Sequence, residues 1–136
     1  MRRYVLTMLI AGLSLAAAVA ARADTPTPPG LYTVQNGDHV DPKTLNGWKT
    51  WRALACERCH GAEQQGLVGP ALVESLKHLT KEEFHTTIMN GRLEKGMPNF
   101  SGSKMVTDNW EGLYAYLKGR SDGKINPGHL YAIGQP

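Results

Sequence analysis

Cys56-Glu57-Arg58-Cys59-His60 is the stretch on which the reading of this chain turns. Two thiols stand two residues apart, close enough to share one helical turn, and an imidazole follows at once. A C-x-x-C pair has three chemical readings. A thiol–disulfide redox pair expects a βαβ setting, and no such pattern flanks these residues. A structural zinc site expects further Cys or His ligands at matching spacing, yet Cys56 and Cys59 are the chain's two cysteines. With histidine directly after the second cysteine, C-x-x-C-H is the attachment pattern for c-type haem. Each thiol can add to one vinyl group of the macrocycle. His60 is then placed beneath the iron as its proximal ligand.

A second axial ligand is sought further along. Met97 lies in Gly96-Met97-Pro98-Asn99-Phe100, 37 residues after His60. A glycine- and proline-bounded loop can carry a thioether to the far face of the haem, with Pro98 stiffening the backbone behind it. Met89 and Met105 are the rivals. Met89 falls near the end of a helical stretch, where methionine fills gaps in apolar cores; Met105 lies just before a helix cap. Met/His ligation raises the reduction potential and fills both axial positions, which favours electron transfer over activation of small molecules. An open iron position, the requirement for a haem sensor or small enzyme, would need Met97 not to ligate. His39, His78, His85 and His129 read as surface or capping residues.

Outward from the motif, the chain offers short helices and long loops. Asp41-Pro42 is a helix start, with Asp as N-cap and Pro at the first helical position. The helix is expected over about 42–55, leading straight into Cys56, with Leu45, Trp48, Trp51, Arg52 and Ala55 on neighbouring faces. Residues 61–70 hold Gly61, Gly66, Gly69 and Pro70 and read as a loop. A short helix is expected over 71–79. Thr80-Lys81-Glu82-Glu83 is a capping box opening a helix with Phe84, Thr87 and Ile88 on one side, which Asn90-Gly91 closes. Residues 92–106 read as irregular. Asp108-Asn109-Trp110-Glu111 resembles a second capping box; its helix runs to about Lys118, with Trp110, Leu113, Tyr114 and Leu117 spaced i, i+3, i+4, i+7. A short extended piece is expected at Leu31-Tyr32-Thr33-Val34, but no convincing β pattern is visible. The expected fold is all-α: four or so short helices and long loops wrapped around one covalently attached haem. Such helices alone make a thin core, and a large apolar cofactor at the centre would complete it. Trp48, Trp51 and Trp110 are expected in that core or as haem-pocket walls rather than at a partner interface.

The N-terminus belongs to a different category. Arg2 and Arg3 precede an apolar run over 5–20, and Ala21-Arg22-Ala23 supplies a small-x-small cleavage pattern. This is the design of a secretory signal peptide. The apolar run is somewhat short for a membrane span of roughly 20 residues. The expected organisation is a cleaved signal over 1–23 and one domain over 24–136, with irregular extensions at 24–41 and 121–136. The mature chain is thereby expected in the periplasm without a stable membrane anchor. The full chain has 15 basic and 12 acidic residues, but Arg2, Arg3 and Arg22 leave with the signal, so the remainder is balanced. The pI near 9.0 therefore gives no support for nucleic-acid binding, which needs a basic stripe on the folded domain.

Taken together, Cys56-x-x-Cys59-His60-Gly61, Gly66, Gly69-Pro70-x-Leu72 and Gly96-Met97-Pro98-x-Phe100 resemble the class I mono-haem cytochromes c. The resemblance covers about 46–119. It implies that the carbonyl of Pro70 accepts a hydrogen bond from His60 Nδ1, and that the first and last helices cross through Gly47, Trp51, Leu113, Tyr114 and Leu117. A narrower resemblance runs through Leu45-Asn46-Gly47-Trp48-x-x-Trp51-Arg52-Ala53-Leu54-Ala55-Cys56, Gly69-Pro70-Ala71-Leu72-Val73-Glu74-Ser75-Leu76, Gly91-Arg92-Leu93-Glu94-Lys95-Gly96-Met97-Pro98 and Leu113-Tyr114-Ala115-Tyr116-Leu117-Lys118-Gly119-Arg120-Ser121-Asp122-Gly123. These stretches are similar to the periplasmic cytochrome cL-like acceptors of quinoprotein methanol dehydrogenases, those of the lanthanide-dependent Xox type in particular. The resemblance implies a carrier, not an enzyme, with such a dehydrogenase as donor and a downstream cytochrome c or oxidase as acceptor. A carrier serving another dehydrogenase, oxidase or peroxidase would carry nearly the same sequence.

Overall fold

The structure, a computed structural model, describes residues 25–135. The expected signal peptide over 1–23 lies outside the described residues. In chain order the elements are strands β1 (Val34–Gln35) and β2 (His39–Val40), helices α1 (Pro42–Ala53), α2 (Glu57–His60), α3 (Leu72–Ser75) and α4 (Lys81–Asn90), a 3-10 turn (Leu93–Lys95), helix α5 (Lys104–Ser121) and strand β3 (Tyr131–Ala132). Helices dominate, as expected. Among the described residues no helix is long and apolar enough to cross a membrane.

The caps read from the sequence are formed. Asp41 Oδ1 accepts from the Thr44 amide at 3.0 Å, and Pro42 opens α1. Its other oxygen accepts from the Thr33 amide at 2.7 Å and the Thr44 hydroxyl at 2.7 Å. Burial alone would raise the Asp41 carboxyl, but the Thr33 and Thr44 amides and hydroxyl outweigh it and hold the group below its ordinary range. At α4 the capping box is reciprocal: the Glu83 amide donates to Thr80 Oγ1, and the Thr80 amide donates to Glu83 Oε2.

Three helices differ from expectation: the short one expected over 71–79 spans only Leu72–Ser75, and the first and last differ for a local reason each. The first helix ends at Ala53 rather than running to Ala55. Ala55 adopts a left-handed conformation (φ 51°), its amide donates to Arg52 O, and the Cys56 amide donates to Trp51 O. This is the hydrogen-bond pattern of a Schellman cap, built on alanine where glycine is usual. The last helix starts at Lys104, not at Asp108, and runs through Gly119 to Ser121. Asp108 sits inside its first turns, paired with Lys104 at 2.6 Å.

A further correction concerns the two extensions. They are not wholly irregular: β1 pairs antiparallel with β2, and β2 pairs parallel with β3, giving the order β1-β2-β3. The Asn126 amide also donates to Gly37 O at 2.7 Å. Val40, Ile125 and Leu130 are buried by this closure. Strands of two residues are too short to show period-2 patterning, and β2 and β3 lie some 90 residues apart in sequence.

The centre of the molecule is the crossing of α1 and α5. A Cβ on Gly47 would lie 1.9 Å from the Gly112 carbonyl oxygen, and one on Gly112 would lie 2.3 Å from the Lys43 carbonyl oxygen. The two backbones therefore touch directly. Around them Trp51, Leu113, Tyr114, Tyr116 and Leu117 are buried. Residues Gly112 to Gly119 of α5 are buried all round, because α1, α3, α4 and the C-terminal tail each cover a side.

Candidate haem-attachment site

The crossing delivers the motif. Trp51, near the end of α1, is 2 % exposed, and its ring lies 6.3 Å from that of His60. The turn at Ala55 reverses the chain into α2, which carries Cys59 and His60 on a single helical turn with Cys56 as its N-cap. The two cysteines form no disulfide; Cys56 is half-buried against the core and Cys59 exposed. Burial, then the neighbouring Glu57, pushes the Cys56 thiol up to about 11.

His60 is held from behind. Its Nδ1 lies 2.9 Å from the Pro70 carbonyl oxygen. A carbonyl can only accept, so Nδ1 carries the proton and Nε2 is the nitrogen able to bind iron. The loop over 61–70 folds back on α2 through the Gly66 amide on His60 O at 2.8 Å and the Gly69 amide on Cys59 O at 2.7 Å. A Cβ at Gly69 would stand 2.9 Å from His60 Cε1, so glycine there leaves the ring its place.

Met97 is on a separate loop. The Arg92 amide donates to Met97 O at 2.8 Å and the Met97 amide donates to Arg92 O at 3.1 Å, closing the segment into a small hairpin. Gly91 (φ 69°) admits the close return of Pro98, whose carbonyl carbon would lie 2.5 Å from a Cβ there. Met97 packs half-buried on the core, as does Met89 of α4, whereas Met105 is 45 % exposed. The structure thus brings Cys56, Cys59, His60 and Pro70 together and carries Met97 on a separate backbone-bonded hairpin.

Other residues singled out by sequence take ordinary places. His39 stacks on Tyr131 beside Asp38, His129 meets Trp48 edge-on, and His85 packs on Trp110. Among the described residues no three His, Cys, Asp or Glu side chains group as a metal site. Two residues that sequence reading passed over support the loop: Gln64, 1 % exposed, and Arg120, whose Nε donates to Gln64 Oε1 at 2.7 Å. They are 56 residues apart, and nothing periodic links them.

The donor set fits a covalently attached haem. Two unpaired thiols on one turn precede an imidazole whose tautomer leaves Nε2 for iron. Of the large apolar side chains exposed among the described residues, Leu67, Val68 and Leu93 fall in the two loops that carry Pro70 and Met97. Apolar side chains gathered at such loops suit the flank of a large apolar cofactor.

A family model described as "Cytochrome C oxidase, cbb3-type, subunit III" matches residues 42–117, more than half of the chain. The chain belongs to this cytochrome c family: it is a mono-haem c-type cytochrome that carries a covalently bound haem c and transfers electrons rather than catalysing a reaction. It is 42% identical over 92 residues to cytochrome c-555 of Methylococcus capsulatus (strain Bath), a match covering 67% of this chain and 73% of that protein. The solved c-type cytochrome XoxG from Methylobacterium extorquens AM1 shares its fold with a TM-score of 0.68 at 32% identity, over 77% of this chain and 68% of that one.

Proposed function

We propose that this chain is a periplasmic carrier accepting single electrons from a PQQ-dependent methanol dehydrogenase and passing them toward a terminal oxidase. Haem c, when bound, supplies an iron that takes up and releases one electron. The chain's own residues do the rest. Cys56 and Cys59 hold the macrocycle as thioethers, which prevents its loss after export. His60 binds through Nε2 while Pro70 accepts its Nδ1 proton, making the imidazole a stronger donor. Met97 would supply the second protein ligand to the iron and so leave no open position for other molecules. The observation that supports the site assignment is the 2.9 Å contact of His60 Nδ1 with Pro70 O on the helical turn that carries Cys56 and Cys59.

The methanol assignment is supported by two things: the stretches around Cys56, Met97 and α5 that resemble Xox-type acceptors, and the fold shared with XoxG. The signal pattern over 1–23 supports export. The family model's description names an oxidase subunit, which supports a second reading, a carrier whose main task is delivery to an oxidase from some other donor.

Stopped-flow reduction of the oxidised protein by purified methanol dehydrogenase, with methanol present, separates the two. Fast, saturable reduction is expected; slow reduction without saturation would remove methanol dehydrogenase as the donor. Met97→Ala is expected to lower the reduction potential, abolish the sulfur-to-iron absorption band and open the reduced protein to carbon monoxide. A band that survives the substitution would transfer the ligand role to another side chain.

A further inference from the structure

We propose that Gln64 and Arg120 act as a positioning clamp for His60, holding the loop that presents the Pro70 carbonyl to Nδ1. The inference rests on His60 being an iron ligand and goes beyond it, since neither clamp residue belongs to the attachment motif.

Gln64 is the hub of the loop. It is 1 % exposed and sits in a left-handed conformation (φ 61°) without being glycine, a placement that its surroundings must enforce. Its backbone carbonyl accepts from the Leu72 amide at 2.8 Å and the Val73 amide at 3.2 Å. The two strands of the loop, before and after Pro70, are thus tied across Gln64. Its side chain is fully used: Oε1 accepts from Arg120 Nε, and Nε2 donates to Tyr116 Oη at 3.1 Å and to Ala62 O at 3.3 Å.

Arg120 fixes that hub to the end of α5. Besides Gln64, its guanidinium donates to Ile125 O at 2.6 Å and Glu63 O at 3.2 Å. A planar fork reaching three acceptors holds their relative positions in a way that an ammonium cannot. Ser121 adds a bond to Val73 O at 2.7 Å. Tyr116, the partner of Gln64 Nε2, has its ring 6.3 Å from Trp51, which in turn flanks His60. The proximal loop is therefore anchored on the same helix whose crossing with α1 places the motif. Without the clamp, Pro70 would move relative to His60 although every residue of the motif remained.

The sign of the effect follows from the chemistry. A firm Nδ1–H···O bond makes imidazole a stronger donor and favours the oxidised iron, so a loosened Pro70 should raise the potential. Gln64→Leu keeps the charge and about the volume. Arg120→Lys keeps the charge and loses the fork. Both are expected to raise the reduction potential of the haem-loaded protein. In both, the Leu72 and Val73 amides are expected to exchange hydrogen at least about tenfold faster relative to the slowest α5 amides. Val40→Ala, a truncation in the small sheet away from the loop, serves as the control for lost stability alone and should leave the potential where it is.

Potentials of Gln64→Leu and Arg120→Lys equal to that of Val40→Ala, or lower than the wild type, would overturn the clamp and leave both residues as ordinary packing. If Gln64→Leu fails to take up haem, the conservative Arg120→Lys decides alone. Failure of the ligand assignment is seen separately, as a haem-loaded His60→Ala protein that keeps the wild-type spectrum.

Discussion

Ala55 shows how much one residue's conformation governs the site. It holds φ 51° at the end of α1, and the turn it makes is what aims Cys56 and α2. An L-residue in this region is disfavoured by roughly 1–2 kcal/mol, whereas glycine is nearly indifferent. Ala55→Gly should therefore stabilise the haem-loaded protein by about 1 kcal/mol, offset in part by the freer unfolded chain. The urea midpoint would register the gain with the denaturant slope unchanged. A loss of stability would mean that the methyl group packs usefully and that the strain is small. At this scale the motif was legible: C-x-x-C-H named the two thiols and the imidazole because that chemistry demands those residues at that spacing. The left-handed turn was not, since alanine there reads as helix. Gln64 and Arg120 were equally hidden, because a contact across 56 residues leaves no local trace.

At the scale of elements the decisive feature is the crossing of α1 and α5. Its glycines are not helix weaknesses that happen to be tolerated; they let two backbones meet. A methyl group at Gly47 would fall 1.9 Å from the Gly112 carbonyl oxygen, so the helices must separate to admit it. Alanine would gain up to about 1 kcal/mol in helix propensity, yet forced overpacking typically costs about 1–3 kcal/mol and more where backbone must move. Gly47→Ala is expected to lose about 3 kcal/mol net, while Gly102→Ala, which meets nothing within 4 Å, should change stability by less than about 0.5 kcal/mol. Thermal melts of the two variants would separate the cases; equal small effects would show that the crossing can relax. Sequence anticipated Gly47 in this role through family resemblance, but not Gly112. It placed the cap at α4 correctly, because the Thr80–Glu83 exchange is local. It set the cap of α5 five residues late, because Asp108 and Glu111 imitate a first turn while Ser103, the true N-cap, makes no side-chain cap bond.

For the whole molecule, the end of α5 is where the chain's distant parts are joined, and the joint is electrostatic. Lys118, with a side chain 3% exposed, pairs with Asp122 Oδ1 at 2.7 Å. Asp122 Oδ2 accepts from Tyr32 Oη at 2.7 Å and Thr27 Oγ1 at 2.5 Å, which straps the N-terminal extension over the helix. Burial would raise the Asp122 carboxyl, but Lys118, Thr27 and Tyr32 together hold it below its usual value. Burial, then Asp122, pushes the Tyr32 phenol above its usual value. Each shift has a definite sign in stability. Asp122 is depressed in the fold, so its contribution is complete above the unfolded carboxylate pKa of about 3.9 and is lost as pH falls through the lower folded value. Tyr32 is raised, so its contribution is complete below about 10 and is lost as pH rises through the higher folded value. Tyr116, pushed up to about 12 chiefly by burial, acts in the same direction. Stability should therefore be flat from about pH 5 to 9 and fall on both sides. Asp122→Asn leaves Lys118 buried opposite a neutral amide and should cost about 3 kcal/mol at pH 7, while flattening the acid limb. Tyr32→Phe should flatten the alkaline limb instead. Denaturant titrations across pH would read both. If Asp122→Asn kept the wild-type acid limb, Asp41, whose carboxyl is likewise held down by the Thr33 and Thr44 bonds at the start of α1, would be the group that limits this fold in acid.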